Sequence, residues 1–140
     1  MKKPGYYVIY RNREYDATMD PETEEIILYT EDKSERKNGF KRDWSIKGLY
    51  YKRVAIIEIQ YAYYLNNYAI YQGEEVGILG TEDDCFWVGA NSEVAKKVGI
   101  PRIDKVSYEE LVKKSEIEKI YDKREPVWGF EKKDEPPNMD

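Results

Sequence analysis

Tyr7-Val8-Ile9-Tyr10-Arg11-Asn12-Arg13-Glu14-Tyr15 returns later in the chain as Tyr68-Ala69-Ile70-Tyr71-Gln72-Gly73-Glu74-Glu75-Val76, 61 residues on. That spacing carries Asp20-Pro21-Glu22-Thr23 onto Thr81-Glu82-Asp83-Asp84 and Ile26-Ile27-Leu28 onto Trp87-Val88-Gly89, turn on turn and apolar run on apolar run. One deletion then shortens the spacing to 60, so that Asn38-Gly39-Phe40 meets Val98-Gly99-Ile100, and Glu58 and Tyr61 meet Glu118 and Tyr121. The identities are few and tyrosine is abundant, so coincidence competes with duplication as the explanation. A repeat of this length exceeds the ~20–50 residues of solenoid units, which favours two fused small units over an array.

Each copy opens as a hairpin. Tyr6 to Tyr10 and Glu14 to Met19 are rich in β-branched and aromatic residues, and Asn12 or its counterpart Gly73 tolerates the positive φ of a tight turn. Acidic turns introduce a third strand at Glu25–Thr30 in one copy and Cys85–Gly89 in the other. Val54 to Leu65 alternates with the period of a strand. Ser107-Tyr108-Glu109-Glu110 matches a capping box before Leu111 and Val112 and predicts a short helix over 108–114. Weaker caps at Ser34 and Ser92, followed by Gly39 and Gly99, bound single helical turns. The expected fold is mainly β with minor helix (α+β): two tandem SH3-like or half-barrel antiparallel β units, 1–66 and 67–130, sharing or abutting one core, with a disordered tail at 131–140.

Asp and Glu number 28 against 23 Lys and Arg, a formal charge of −5 that disfavours nonspecific nucleic-acid binding and suits a basic partner. The basic stretch Lys33, Arg36, Lys37, Lys41, Arg42 beside Phe40 and Trp44 is the one segment resembling a base-stacking track, and Glu35 and Asp43 interrupt it. The single cysteine excludes an internal disulfide. With no leader-like N-terminal stretch and no run near the ~20 apolar residues of a membrane helix, a cytoplasmic location is expected.

No histidine is present, which removes the commonest general base and metal ligand. Cys85 lies between Asp84 and Phe86-Trp87, without a neighbouring cation or base to form a thiolate. The acid clusters fall at turns and lack the spacing of a calcium loop, and Gly73, Gly77 and Gly80 lie within a hairpin, not between strand and helix. No enzyme activity, cofactor or metal is therefore expected. The informative excess is tyrosine, 14 residues in all, which supplies rigid contact area with a polar tip. Acidic turns beside such a face would steer a cationic partner.

The opening Tyr6-Tyr7-Val8-Ile9-Tyr10 hairpin with Glu14, the segment from Glu58 to Tyr71, and the closing Arg124-Glu125-Pro126-Val127-Trp128-Gly129-Phe130 together resemble small immunity proteins of bacterial polymorphic toxin systems. That resemblance implies a non-enzymatic cytoplasmic protein that binds the toxic domain of a cognate toxin, often a nuclease. Immunity families share no set of binding residues, so it assigns no positions. From charge and position, the candidate contacts are Glu22, Glu24, Glu82, Asp83 and Asp84, with Trp87 or tyrosines such as Tyr71 as anchors. The alternative is an SH3-like adaptor that binds a peptide or assembles through a sheet edge.

Overall fold

A computed structural model describes residues 1–131. The fold is mainly antiparallel β with minor helix. The described residues form ten strands in chain order: β1 (Gly5–Tyr10), β2 (Arg13–Met19), β3 (Ile26–Thr30), β4 (Lys41–Arg42), β5 (Tyr50–Val54), β6 (Tyr61–Tyr71), β7 (Glu74–Glu82), β8 (Cys85–Ala90), β9 (Tyr108–Lys113) and β10 (Ile117–Pro126). One α-helix, α1 (Ser92–Val98), and three 3₁₀ segments at Lys33–Asn38, Ile56–Glu58 and Lys114–Glu116 complete the described elements. No described helix is long and apolar enough to cross a membrane.

By its contacts the chain forms two units, one of residues 5–64 with 124–131 and one of residues 1–4 with 65–123. The first unit orders its strands β4-β5-β3-β2-β1 and then the opening of β6. Its hairpin pairs Val8 with Tyr15 and Tyr10 with Arg13, and Ile26, Leu28 and Val54 are buried beneath it with Val8. The segment 124–130, assigned from the sequence to the second copy, belongs to this unit: Trp128 stacks on Tyr6 at 4.9 Å and Phe130 meets Tyr61 edge-on at 5.9 Å. The rest of the expected tail lies outside the described residues.

The second unit orders the remainder of β6 with β7, β8 and β9, and β10 pairs β6. Its core gathers Ala69, Tyr71, Val76, Ile78, Phe86, Val88, Ala95, Val98, Ile100 and Val112.

Internally, the two units repeat one another in register. Val8 faces Tyr15 where Ala69 faces Val76, Leu28 faces Lys52 where Val88 faces Glu110, and Tyr50 corresponds to Tyr108. Positive φ recurs at Arg11 and Asn12 (49° and 63°) and at Gln72 and Gly73 (50° and 78°), the conformation a tight hairpin requires. The 3₁₀ segment ends at Gly39 and α1 at Gly99, both left-handed. Their N-caps are Asp32 and Asn91, not the expected Ser34 and Ser92, and each accepts a backbone N–H with its side chain.

The repeat is nevertheless not in the phase read from the sequence. Ile26 corresponds to Phe86, not to Trp87, because both face the core and both occupy the same rung. A shift of one residue inverts every side chain of a strand, so burial decides the register. By the last strand the offset has fallen further, and Tyr63 corresponds to Tyr121.

Two other expectations are corrected. Residues 108–113 are β9, hydrogen-bonded to β8 from Cys85↔Lys113 to Ala90↔Tyr108, and not a helix. The strand expected from Val54 to Leu65 is broken by the 3₁₀ turn Ile56–Glu58, where the Glu58 carboxylate accepts the Ala55 N–H at 2.7 Å. Glu116 does the same for Lys113 at 3.1 Å.

Each repeat closes through a tyrosine and a carboxylate. Tyr63 of β6 donates to Glu14 and stacks on Tyr7 at 5.6 Å. Tyr121 of β10 donates to Glu75 and stacks on Tyr68 at 6.2 Å. Beside them, the Asn12 N–H donates to Gln60 Oε1 at 2.7 Å and the Gly73 N–H to Glu118 Oε1 at 2.9 Å. Tyr63 is fully buried, whereas Tyr121 is half-buried and its carboxylate is also held by Lys123 at 2.7 Å. Tyr63→Phe keeps the ring stack and removes the donor, so it is expected to lower unfolding stability by about 1–2 kcal/mol. Tyr121→Phe should shift the urea midpoint less, and equal shifts would show that the buried bond carries no special weight.

Candidate functional site

β8 alternates across the sheet: Phe86 and Val88 point to the core, and Trp87 to the outer face. Trp87 is 40% exposed and sits opposite Leu111 of β9, which is also exposed. Leu79, 58% exposed, lies on the same outer face, since it follows core-facing Ile78 by one residue and its side chain lies against Gly89 of β8. The close approach needs Gly89, where a Cβ would lie 3.0 Å from Leu79 Cδ1. Three large apolar side chains thus share a solvent-facing patch of the second unit.

The β7–β8 turn supplies the charge. Glu82, Asp83 and Asp84 are all exposed, with Asp83 in the left-handed region at φ 51°. The Trp87 indole N–H donates to Glu82 Oε2 at 3.1 Å, which joins the anchor to the acidic turn and restricts the ring. Four of the residues singled out from the sequence, Glu82, Asp83, Asp84 and Trp87, therefore meet in one place. Leu79 and Leu111 were not among them. Leu111 carried a signal in its alternation with core-facing Val112, which the helix assignment obscured, and Leu79 carried one in its alternation with core-facing Ile78.

The other expected contacts are not in this patch. Tyr71 is buried in the core of the second unit, so its side chain is unavailable to a surface partner. Glu22 and Glu24 are exposed in the β2–β3 turn of the first unit, where Asp20 accepts the Glu22 N–H at 2.9 Å and pairs with Arg53 at 3.0 Å. These contacts hold the Asp20 carboxyl below its usual range, the Glu22 N–H contributing most. In the basic stretch Phe40 is buried and offers no stacking surface, while Trp44, 83% exposed, lies under the Arg42 guanidinium at 4.4 Å.

The first unit also holds a polar cluster that the sequence reading passed over. Glu35, only 2% exposed, receives the Tyr15 hydroxyl, Arg13 Nη1 at 3.0 Å and Asn38 Nδ2 at 2.7 Å. The Tyr15 hydrogen bond, aided by Asn38 and Arg13, holds the Glu35 carboxyl below its ordinary range against the opposing effect of burial. Burial, with the adjacent carboxylate, pushes Tyr15 up to about 12. The available signal was the repeat itself, since Tyr15 aligns with Val76 and Glu35 with Ala95, apolar residues in the same places.

Residues 1–128 match the family described as "Uncharacterised conserved protein UCP033725". No curated protein and no solved structure matches the chain.

Raising pH through Tyr15's elevated ionisation removes a stabilising contribution that is complete below the unfolded tyrosine value near ~10. Alkaline unfolding followed by near-UV circular dichroism should therefore show loss of structure between pH 10 and the folded value of about 12. Tyr15→Phe should remove part of that dependence and cost about 1–3 kcal/mol at neutral pH, because it leaves a buried carboxylate short of a donor. An unchanged midpoint in this variant would show that Arg13 and Asn38 suffice for Glu35.

Proposed function

The chain belongs to the family Uncharacterised conserved protein UCP033725, and we propose that it is a non-enzymatic binding protein that acts as an immunity protein, occluding the basic active-site surface of a cognate toxin. The observation that carries this reading is the exposed patch of Trp87, Leu79 and Leu111 bordered by Glu82, Asp83 and Asp84. Binding hot spots are enriched in tryptophan set in a desolvated centre, with charge at the rim. A nuclease cleft that grips phosphates presents the complementary arrangement, cations around a surface shaped for bases. The acidic turn stands in for phosphates and speeds encounter, and the indole with its two leucines supplies the dry contact that slows release.

The division of labour sets separate expectations. Against a candidate toxic domain taken from a reading frame adjacent to its gene, a triple Glu82→Lys, Asp83→Lys, Asp84→Lys variant should associate at least ~10-fold more slowly at low ionic strength and lose most of its salt dependence. Trp87→Ala should instead raise the dissociation rate, with a loss of about 2 kcal/mol or more if the indole is the central anchor. Stopped-flow fluorescence resolves the two. The reading fails if co-expression of the wild-type chain does not restore growth to cells making that domain, or if neither variant alters the kinetics.

A further inference from the structure

Because the two units repeat one register, each shows what the fold requires at the other's positions. Arg11, Arg13 and Lys52 of the first unit correspond to Gln72, Glu74 and Glu110 of the second, by their places in the hairpins and opposite Leu28 and Val88. Counting back from the C-cap glycines, Glu35 and Asn38 correspond to Ala95 and Val98. The fold is thus built in one unit without any of the three cations and without the buried carboxylate. Their presence in the other unit needs a reason beyond folding.

The three cations lie around Tyr10 and Asn38. The Arg11 guanidinium and Lys52 Nζ both lie against the Tyr10 ring, at 5.0 and 5.1 Å from its centroid. Lys52 Nζ also donates to Tyr10 Oη at 3.1 Å and to the Asn38 carbonyl at 2.8 Å, contacts that fix it without neutralising it. Glu35 binds Arg13 through Nη1, which orients the guanidinium while its side chain stays 64% exposed. A cavity of ≈ 210 Å³ opens among Tyr10, Arg11, Arg13, Tyr15, Asn38 and Phe40. Three positive charges against the carboxylates of Glu35 and of Asp32, which lies within electrostatic reach of Arg13, leave a local excess of one, in a chain whose net charge is −5. The corresponding residues of the second unit are Gln72, Glu74 and Glu110, with Lys97 3.6 Å from Glu74.

We propose that this cavity binds a small phosphate monoester. The guanidinium forks of Arg11 and Arg13 line the cavity and can engage a tetrahedral dianion, while the Lys52 ammonium, held by Tyr10 and Asn38 and lining a neighbouring pocket, adds positive charge beside them. Tyr10, Tyr15 and Phe40 also line the cavity, and its volume leaves room beside a phosphate for a small ester group. Glu35 takes the part of a positioning residue, since it holds Arg13 and Tyr15 at the cavity rim and its own oxygens are already engaged.

The test is calorimetric titration with phenyl phosphate and, separately, inorganic phosphate, accompanied by amide chemical-shift mapping. One saturable site is expected, with shifts centred on Arg11, Arg13 and Asn38 and tighter binding of the ester. Arg11→Gln installs the residue that the second unit uses at this place and leaves the buried cluster untouched; it should weaken binding ~10-fold, the loss of one charge-assisted contact. Lys47→Gln, on an exposed loop away from the cavity, should leave affinity unchanged. Absence of saturable binding by either probe would overturn the proposal, as would equal weakening by the two variants, which marks diffuse attraction to surface cations. Urea midpoints matching the wild type show that each variant retains the fold.

Discussion

A tyrosine hydroxyl closing on a carboxylate of the opening hairpin is the constraint on which each repeat depends. Tyr63 on Glu14 and Tyr121 on Glu75 tie the last strand of a unit to the second strand of its opening hairpin, across 49 and 46 residues of chain. Such non-local contacts are entropically costly to form, and a small β unit has little apolar area with which to offset that cost. The ring stacks with Tyr7 and Tyr68 place apolar area and a hydrogen bond on the same side chain. Tyrosine can do both, which explains part of its abundance without reference to any partner.

The hairpins, the third strands and the glycine-capped turns were legible because each is written locally: alternation, a residue that accepts positive φ, an acid before a strand. The repeat was legible as a likeness and not as a register. Its phase is set where the sequence is least informative, by a shorter turn between β7 and β8 and by the bulge at Leu79, and only burial of Ile26 and Phe86 fixes it. The 108–113 segment fails for a related reason. Its capping pattern is genuine local chemistry, but Tyr108, Glu110 and Val112 also alternate, and a full ladder to β8 satisfies more backbone groups than one isolated helical turn.

The same limits govern the sites. Glu82, Asp83, Asp84 and Trp87 could be read together because they are neighbours in sequence. Leu111 and Leu79 reach them only by strand pairing, from β9 and β7. Tyr71 looked like its exposed namesakes, yet its parity along β6 turns it to the core. Glu35 lay inside a run that reads as solvated charge, and the tertiary position of Tyr15 makes it buried and paired.

The two units differ at positions that their shared register leaves free. Once two copies share a register, substitutions that leave the ladder and the closing tyrosine intact are free to diverge. The second unit keeps an apolar interior, Val76, Ala95 and Val98, and places its large apolar side chains on the outer face around Trp87. The first has admitted a carboxylate to its interior and surrounded it with donors, which is costly in isolation and stable only because Tyr15, Arg13 and Asn38 are all present. An interior ion of this kind is weak evidence for stability and stronger evidence for orientation: it fixes Arg13 at a cavity rim, where an apolar pair would leave the position unspecified. The acidic turn and the cationic cavity are thus opposite solutions on one scaffold, an exposed charge that reaches outward in one unit and a buried charge that holds another in place in the other.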